Sequence, residues 1–388
     1  MTLPDDNVRS AVLAERVFDG RAWHERTAVL IERGRIRALC GWGNIPAGFP
    51  QRQLPKGAFL APGFIDLQVN GGGGILLNDD PSPAAMQAIA RSHRRLGTTA
   101  LLPTLITDIW DRTEQAIDAA QTICGRDGIL GLHLEGPFLN PARAGVHRRD
   151  RIRRAEMHDL DWLRALGQIG HSLVTMAPES VPDGFIRALV QSGVRVSIGH
   201  SEASAAVVGR AVESGATAVT HLFNAMPPLA GRAPGIVGAA LAEPRLVAGL
   251  IADGQHIDPV SLRAAFAAKG ADGIALVSDA MPTVGSNKKT FDLMGRSVTL
   301  RNGRLVTKEG VLAGAHLDMA SAVRNAVTRF GIPLDAALRA ATTTPARLLG
   351  VGEAYGRLAV HARADMVALT DSIAVMAVWT GGVEEQPS

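Results

Sequence analysis

The amino-acid sequence predicts an α/β fold, a (β/α)8 barrel of the TIM type joined to a small β-sandwich built from both ends of the chain. Three observations lead there. Between about residues 57 and 349, apolar strand-like runs alternate with segments of helical period; these runs number eight; and the two chain ends share a different, hairpin-rich texture. Near-continuous apolar strands separated by helices imply a parallel sheet covered on both faces, and eight strands are what close such a sheet into a barrel. A chain of 388 residues can hold a barrel-sized core and a smaller unit beside it. The expected division is residues 1–56 and 350–388 for a discontinuous β-sandwich domain and 57–349 for the catalytic barrel.

The N-terminal part reads as short strands, Ala11–Val17, Thr27–Ile31 and Ile36–Leu39, joined at Asp19-Gly20 and Arg33-Gly34, which is hairpin chemistry. The barrel strands follow as Phe59–Val69, Thr98–Pro103, Ile129–His133, Ser172–Met176, Val194–His200, Ala216–His221, Leu246–Ala252 and Ile274–Asp279. Helical stretches such as Ala84–Leu96, Glu114–Cys124 and Val260–Lys269 separate them. An open, doubly wound sheet would call for a GxGxxG turn running into a helix, and Gly71–Gly74 after the first strand has no such continuation. Between Phe291 and Gly314 the pair Asn302-Gly303 marks a hairpin turn, which either covers a substrate or is ornament. Met366–Leu369 and Val375–Trp379 resume the strand texture at the C-terminal end.

Composition excludes several classes of function. The balance of 40 Lys+Arg against 37 Asp+Glu leaves a net charge of only +3, too small for a nucleic-acid footprint. The basic run Arg148, Arg149, Arg151, Arg153 and Arg154 is broken by Asp150 and reads as a solvated face. No uncharged apolar window is long enough to span a membrane, and Met1–Ser10 lacks the apolar core of a secretory signal. Two well-separated cysteines, Cys40 and Cys124, fit a reducing compartment, so a cytoplasmic protein is expected.

The polar residues at the ends of the strands carry the functional signal. Glu135, His200, His221 and Asp279 each lie at the C-terminal end of a barrel strand, and in a barrel those ends open on one face, where active sites are built. A lone strand-end histidine is more often structural, Glu135-Gly136-Pro137 alone could be a turn, and Asp279 alone could cap a helix. Four such residues at one end of the barrel point to a metal. Two histidines and one carboxylate make a zinc set that leaves a position open for water, and the other carboxylate is then free as a general base.

The chain resembles the N-acetylglucosamine-6-phosphate deacetylases of the amidohydrolase superfamily. The resemblance rests on Pro62-Gly63-Phe64-Ile65-Asp66, Leu132-His133-Leu134-Glu135-Gly136-Pro137-Phe138, Gly199-His200-Ser201, Thr220-His221-Leu222-Phe223-Asn224-Ala225-Met226, Asp253-Gly254-Gln255-His256 and Val277-Ser278-Asp279-Ala280. It implies one divalent metal, zinc first, on Glu135, His200 and His221, with Asp279 as catalytic acid and base. It also implies substrate contacts at Val146, His147, Asn224, Ala225, Arg232, Asp253, His256, Leu312, Ala313 and Gly314. The implied substrate is a small amino-sugar phosphate, with His256 on the phosphate or the sugar ring, and the implied assembly is a homodimer in which Arg232 reaches the phosphate in the partner's site.

The sequence departs from the family pattern in two places. Most amidohydrolases carry His-x-His on the first strand, where this chain has Gln68-Val69-Asn70. Amides are poor zinc ligands beside imidazole, so one metal is expected, with Gln68 hydrogen-bonding near the nucleophilic water. Ala315, His316 and Asp318 stand where small hydroxyl residues are usual, which leaves substrate preference open. The expected chemistry is attack of water on the acetyl carbonyl with Asp279 moving the proton and His147 donating to the oxyanion. Rival readings are a deacetylase of N-acetylgalactosamine 6-phosphate and a non-catalytic sugar-phosphate-binding barrel.

Overall fold

The computed structural model describes residues 9–385; most of the expected signal-free stretch at Met1–Ser10 lies outside them. Its centre is a sheet of eight parallel strands in chain order: Phe64–Val69, Thr98–Ile106, His133–Glu135, Leu173–Met176, Arg195–Ile198, Ala218–Val219, Val247–Leu250 and Ile274–Leu276. Asp66 links the last strand to the first. Its Oδ1 accepts the Ser278 amide at 3.1 Å and the Gln68 amide at 3.2 Å, and Val69 bridges Ala280 in parallel. The barrel is closed, as eight strands predict.

Helices cover the barrel, and several start as their sequences dictate. Ser82 caps Pro83–Arg94 through the Ala85 amide, Ser204 caps Ala205–Glu213, and Asp258 precedes Pro259–Lys269 with its side chain on the Val260 amide. Side-chain oxygens at these positions satisfy N–H groups that the first turn leaves without partners. Barrel strands and helices share one continuous core of fully buried aliphatic and aromatic side chains. Among the described residues no helix is long and apolar enough to cross a membrane.

The chain ends build the small β domain as one mixed sheet. Arg9–Phe18, Trp23–Glu32 and Arg35–Gly41 form a meander; Arg9–Phe18 also pairs with Gln51–Gln53 and with Phe59–Pro62. Phe59–Pro62 continues to Met366–Leu369, Val375–Thr380 and Val383–Glu384. The sheet forks at Arg9–Phe18, and residues of both branches, including Val12, Ile31, Leu60, Met366 and Trp379, bury a common core. The expected sandwich is built from one hydrogen-bonded sheet whose two branches pack on that common core.

The expected first barrel strand, Phe59–Val69, is two strands in two different sheets. The backbone passes from the terminal sheet into the barrel at Gly63, where a Cβ would meet Thr99 Oγ1 at 2.1 Å, so only glycine fits the crossing. The small domain therefore reaches Pro62, beyond the boundary expected at residue 56. The expected hairpin around Asn302-Gly303 is larger too. Thr290–Leu293, Arg296–Arg301, Arg304–Thr307 and Leu312–Ala315 make a four-stranded antiparallel sheet, turned at Asn302 and Gly303, both at positive φ. One face of this sheet, through Leu293, Val298, Leu305 and Ala313, packs on Leu76, Ile106 and Met281 at the mouth of the barrel.

Candidate active site

The barrel strands deliver four polar side chains to one mouth, and three of them leave their strands in the left-handed region: His200 at φ 48°, His221 at φ 31° and Asp279 at φ 50°. Non-glycine residues rarely adopt such backbone, and it concentrates at functional sites. Each kink turns a side chain that would continue along the barrel wall into the cavity.

Glu135, His200 and His221 converge on one point. Glu135 Oε1 lies 3.1 Å from His200 Nε2 and 3.0 Å from His221 Nε2, and the two Nε2 atoms are 3.1 Å apart. All three residues are buried, and among the described residues they are the one cluster suited to a metal ion. His200 Nδ1 lies 2.8 Å from the Arg143 carbonyl. That bond places a proton on Nδ1 and leaves the Nε2 lone pair for a ligand. Burial disfavours charge on Glu135, but its close contacts with the His200 and His221 rings outweigh it and hold the carboxyl well below the usual range. An anionic oxygen and two imidazole lone pairs aimed at one place fit a divalent cation.

Asp279 sits across Gln68 from that cluster. Gln68 Nε2 donates to Glu135 Oε2 at 3.2 Å and to Asp279 Oδ1 at 3.1 Å, and Asn70 Nδ2 donates to Asp279 Oδ1 at 2.6 Å. The Gln-x-Asn segment thus holds a carboxylate with its amide hydrogens and leaves Asp279 Oδ2 free of it. Burial, then the charge of Glu135, push Asp279 up to about 6, against the opposing effects of His221, His256 and the Asn70 bond. A carboxyl near that value can take a proton and return it near neutral pH.

A cavity of about 390 Å³ opens above these groups. Of the expected substrate contacts, Gln68, Val146, His147, Asn224, Ala225, His256, Leu312 and Gly314 line it. Asp253, Arg232 and Ala313 do not. Asp253 Oδ2 instead accepts His256 Nδ1 at 2.7 Å, so it orients a lining residue. Arg232 is exposed on a loop outside the lining. Ala313 points into the small core beneath the four-stranded sheet, because neighbours along a strand face opposite sides. Gly314, between them, lets that strand approach the site: a Cβ there would lie 2.6 Å from Met281 Cε and 3.0 Å from the Asp279 carbonyl.

His147 is buried with Nδ1 2.9 Å from Thr107 Oγ1, while the Thr107 hydroxyl donates to the Glu135 carbonyl at 3.2 Å. With that hydrogen spent, His147 donates through Nδ1 and a neutral ring shows an unprotonated Nε2 to the cavity. The oxyanion-donor role expected of His147 requires the threonine hydrogen to rotate toward the ring. Burial, then the charge of His200, push His147 down to about 3, so the ring is neutral in either arrangement.

The departures at Ala315, His316 and Asp318 lie off the cavity. The Ala315 amide donates to the Asp279 carbonyl at 2.9 Å, His316 Nδ1 meets Thr283 Oγ1 at 2.9 Å, and Asp318 caps the helix Met319–Thr328. Sequence reasoning missed His133, whose ring bonds Thr104 at 3.2 Å and Thr175 at 2.8 Å in a polar layer inside the barrel. It also missed the part played by Asn70, and Arg304, which lines the cavity. The turn at Asn302-Gly303 was the available signal for Arg304.

Comparison with known proteins shows which family the chain resembles over most of its length. The model of the Amidohydrolase family matches residues 59–384. The chain is 43% identical over 336 residues to an N-acetylgalactosamine-6-phosphate deacetylase of Shewanella sp. (strain ANA-3), covering 86% of this chain and 84% of that protein. It is 32% identical over 360 residues to the N-acetylglucosamine-6-phosphate deacetylase of Haemophilus influenzae, covering 92% and 93%. The crystal structure of N-acetylglucosamine-6-phosphate deacetylase from Pasteurella multocida superposes with a TM-score of 0.93 at 32% identity, over 98% of this chain and 100% of that one.

Proposed function

The chain belongs to the amidohydrolase family, and we propose that it is an amide hydrolase that removes the acetyl group of N-acetylglucosamine 6-phosphate, releasing acetate and glucosamine 6-phosphate. The observation that carries this reading is the pairing of a convergent Glu135–His200–His221 donor set with an amide-held Asp279 on the floor of one cavity. The names of relatives that span most of the chain support the substrate class.

Glu135, His200 and His221 would hold a divalent cation, zinc first, whose charge would lower the pKa of water and polarise a carbonyl. The chain's own residues do the rest. Asp279, ionised and fixed through Oδ1 by Gln68 and Asn70, accepts a proton at Oδ2 from the attacking water and later delivers it to the departing amine. Val146 and Leu312 give the cavity apolar walls, and Asn224 and His256 offer polar contacts to the sugar. Asp253 holds His256 by Nδ1, so its Nε2 is the nitrogen available to substrate.

The exposed position of Arg232 outside its own cavity supports a homodimer in which it serves the partner's site. Two free cysteines support a cytoplasmic location. The galacto epimer is the second reading, favoured by the 43% identity to a protein of that name. The test is acetate release from both 6-phosphates by purified protein, with metal content measured on the same sample. A higher kcat/KM for N-acetylgalactosamine 6-phosphate transfers the assignment to that sugar. No release from either, by folded and zinc-loaded protein, rejects the function.

A further inference from the structure

The lining that a single chain gives the cavity carries little positive charge. Its floor holds two carboxylates, Glu135 and Asp279, and of the residues lining it Arg304 alone is a lysine or arginine. Arg232 lies outside the lining, and His256 spends its Nδ1 on Asp253. A sugar phosphate is a dianion near neutral pH, so a cation in the lining is a candidate partner for its charge.

Arg304 lines the cavity from the four-stranded sheet, and the register of that sheet shows which way it faces. Val306 pairs with Leu312, and Arg304 pairs with Ala315 across a bulge. Side chains two apart share a face and directly paired residues point the same way, so Arg304 lies on the face of Val306 and Leu312. Leu305 points the other way, into the core with Met281 and Ile106. The strand is therefore anchored by Leu305 while its neighbour is presented to the cavity. Gly310 and Val311, in the turn after that strand, and Leu312 of the next strand also line the cavity. Among the described residues the Arg304 guanidinium has no hydrogen-bond or ion-pair partner, whereas the arginines at 143, 148 and 153 are paired with carboxylates. A planar fork of N–H donors with no protein acceptor suits two phosphate oxygens.

We propose that Arg304 is a substrate-binding residue that holds the phosphate of the amino-sugar phosphate from within the same chain. This rests on the function proposed above. Phosphate recognition then does not depend wholly on a partner subunit, and the four-stranded sheet serves specificity as well as cover.

The test compares kcat/KM for N-acetylglucosamine 6-phosphate and for N-acetylglucosamine in the wild type, Arg304→Gln and Arg304→Lys. Loss of a charge-assisted bond predicts a fall of roughly ten- to a hundredfold on the phosphorylated sugar, through KM, and a far smaller fall on the other. The preference for phosphate collapses in Arg304→Gln and is partly restored in Arg304→Lys. Equal losses on both sugars, or no loss, overturn the proposal. Arg304 is exposed, so an unchanged melting temperature is expected of both variants. Calorimetric titration with glucose 6-phosphate separates the two kinds of failure. Weaker binding to Arg304→Gln without wild-type turnover rejects the enzymatic reading alone; unaltered binding rejects the arginine.

Discussion

Replacing Asn70 by leucine keeps most of the side chain's bulk and removes the amide that donates to Asp279 Oδ1 at 2.6 Å. Asn70 is buried, 1% exposed, and the leucine side chain fills the space beside Asp279 that the amide leaves. The bond favours the ionised carboxylate and works against burial and the charge of Glu135, which together raise Asp279 to about 6. A hydrogen bond to a charged group contributes about 1.5–3 kcal/mol, and one pH unit corresponds to about 1.4 kcal/mol. The variant's Asp279 should therefore rise by about one to two pH units, with Gln68 still holding Oδ1 at 3.1 Å. A general base works ionised, so activity is lost as pH falls through its pKa, and raising that pKa moves the acid limb to higher pH. The assay is kcat/KM for acetate release from pH 4.5 to 9, with metal content checked on each sample. The expected result is an acid limb displaced upward by about one to two units, with activity largely recovered at the alkaline end. A uniform loss at every pH would assign Asn70 to packing. An unmoved limb with full activity would refute the view that Asp279, held by this amide, is the titrating base.

Three further outcomes follow from the same geometry. Asp279→Asn should lower kcat on the order of 10²–10⁴-fold, the usual weight of general acid–base catalysis, with metal content unchanged; near-normal turnover would remove Asp279 from the mechanism. A chelator should abolish acetate release and one equivalent of zinc restore it, whereas His221→Ala should fail to retain the ion; full activity in metal-free protein would sink the donor-set reading. Asp66, pushed up to about 7 by burial, stays protonated in the fold while the unfolded chain ionises above about pH 4. Wild-type stability should then decline as pH rises from about 4 to 7, and Asp66→Asn should flatten that decline. Urea midpoints at pH 5 and 7.5 with the same slope in both proteins would contradict it.

The fold and much of the site were legible because barrel strands are short apolar runs and their ends are marked by polar residues. Glu135, His200, His221 and Asp279 each interrupt such a run, and topology alone then brings them together. What was not legible depends on partners far away in sequence. Phe59–Val69 reads as one apolar strand since every residue in it is buried; only its hydrogen-bond partners reveal two sheets. Asn70 shows in sequence as a missing ligand, and its role appears once Asp279, some 200 residues on, is placed beside it. Ala313 and Arg304 were misjudged and missed for one reason. The facing of both is set by a strand pairing with a bulge between Arg304 and Val306, which no local pattern encodes. His133 was passed over because the strand around it is otherwise apolar.

The shared pairing of Phe59–Pro62 with Met366–Leu369 has a bearing on how the protein is made. These segments lie roughly 300 residues apart, so the first strand emerges from the ribosome long before its partner exists, and long-range pairings of this kind are slow to close. Through Gly63 that strand runs directly into the one carrying Gln68 and Asn70. The strand before Gln68 and Asn70, which hold Asp279, is thus completed in its sheet by one of the last strands to be synthesised. Competence arrives late in translation, and the unpaired edge of Phe59–Pro62 is the surface that a chaperone, or a neighbouring nascent chain, meets in the interval.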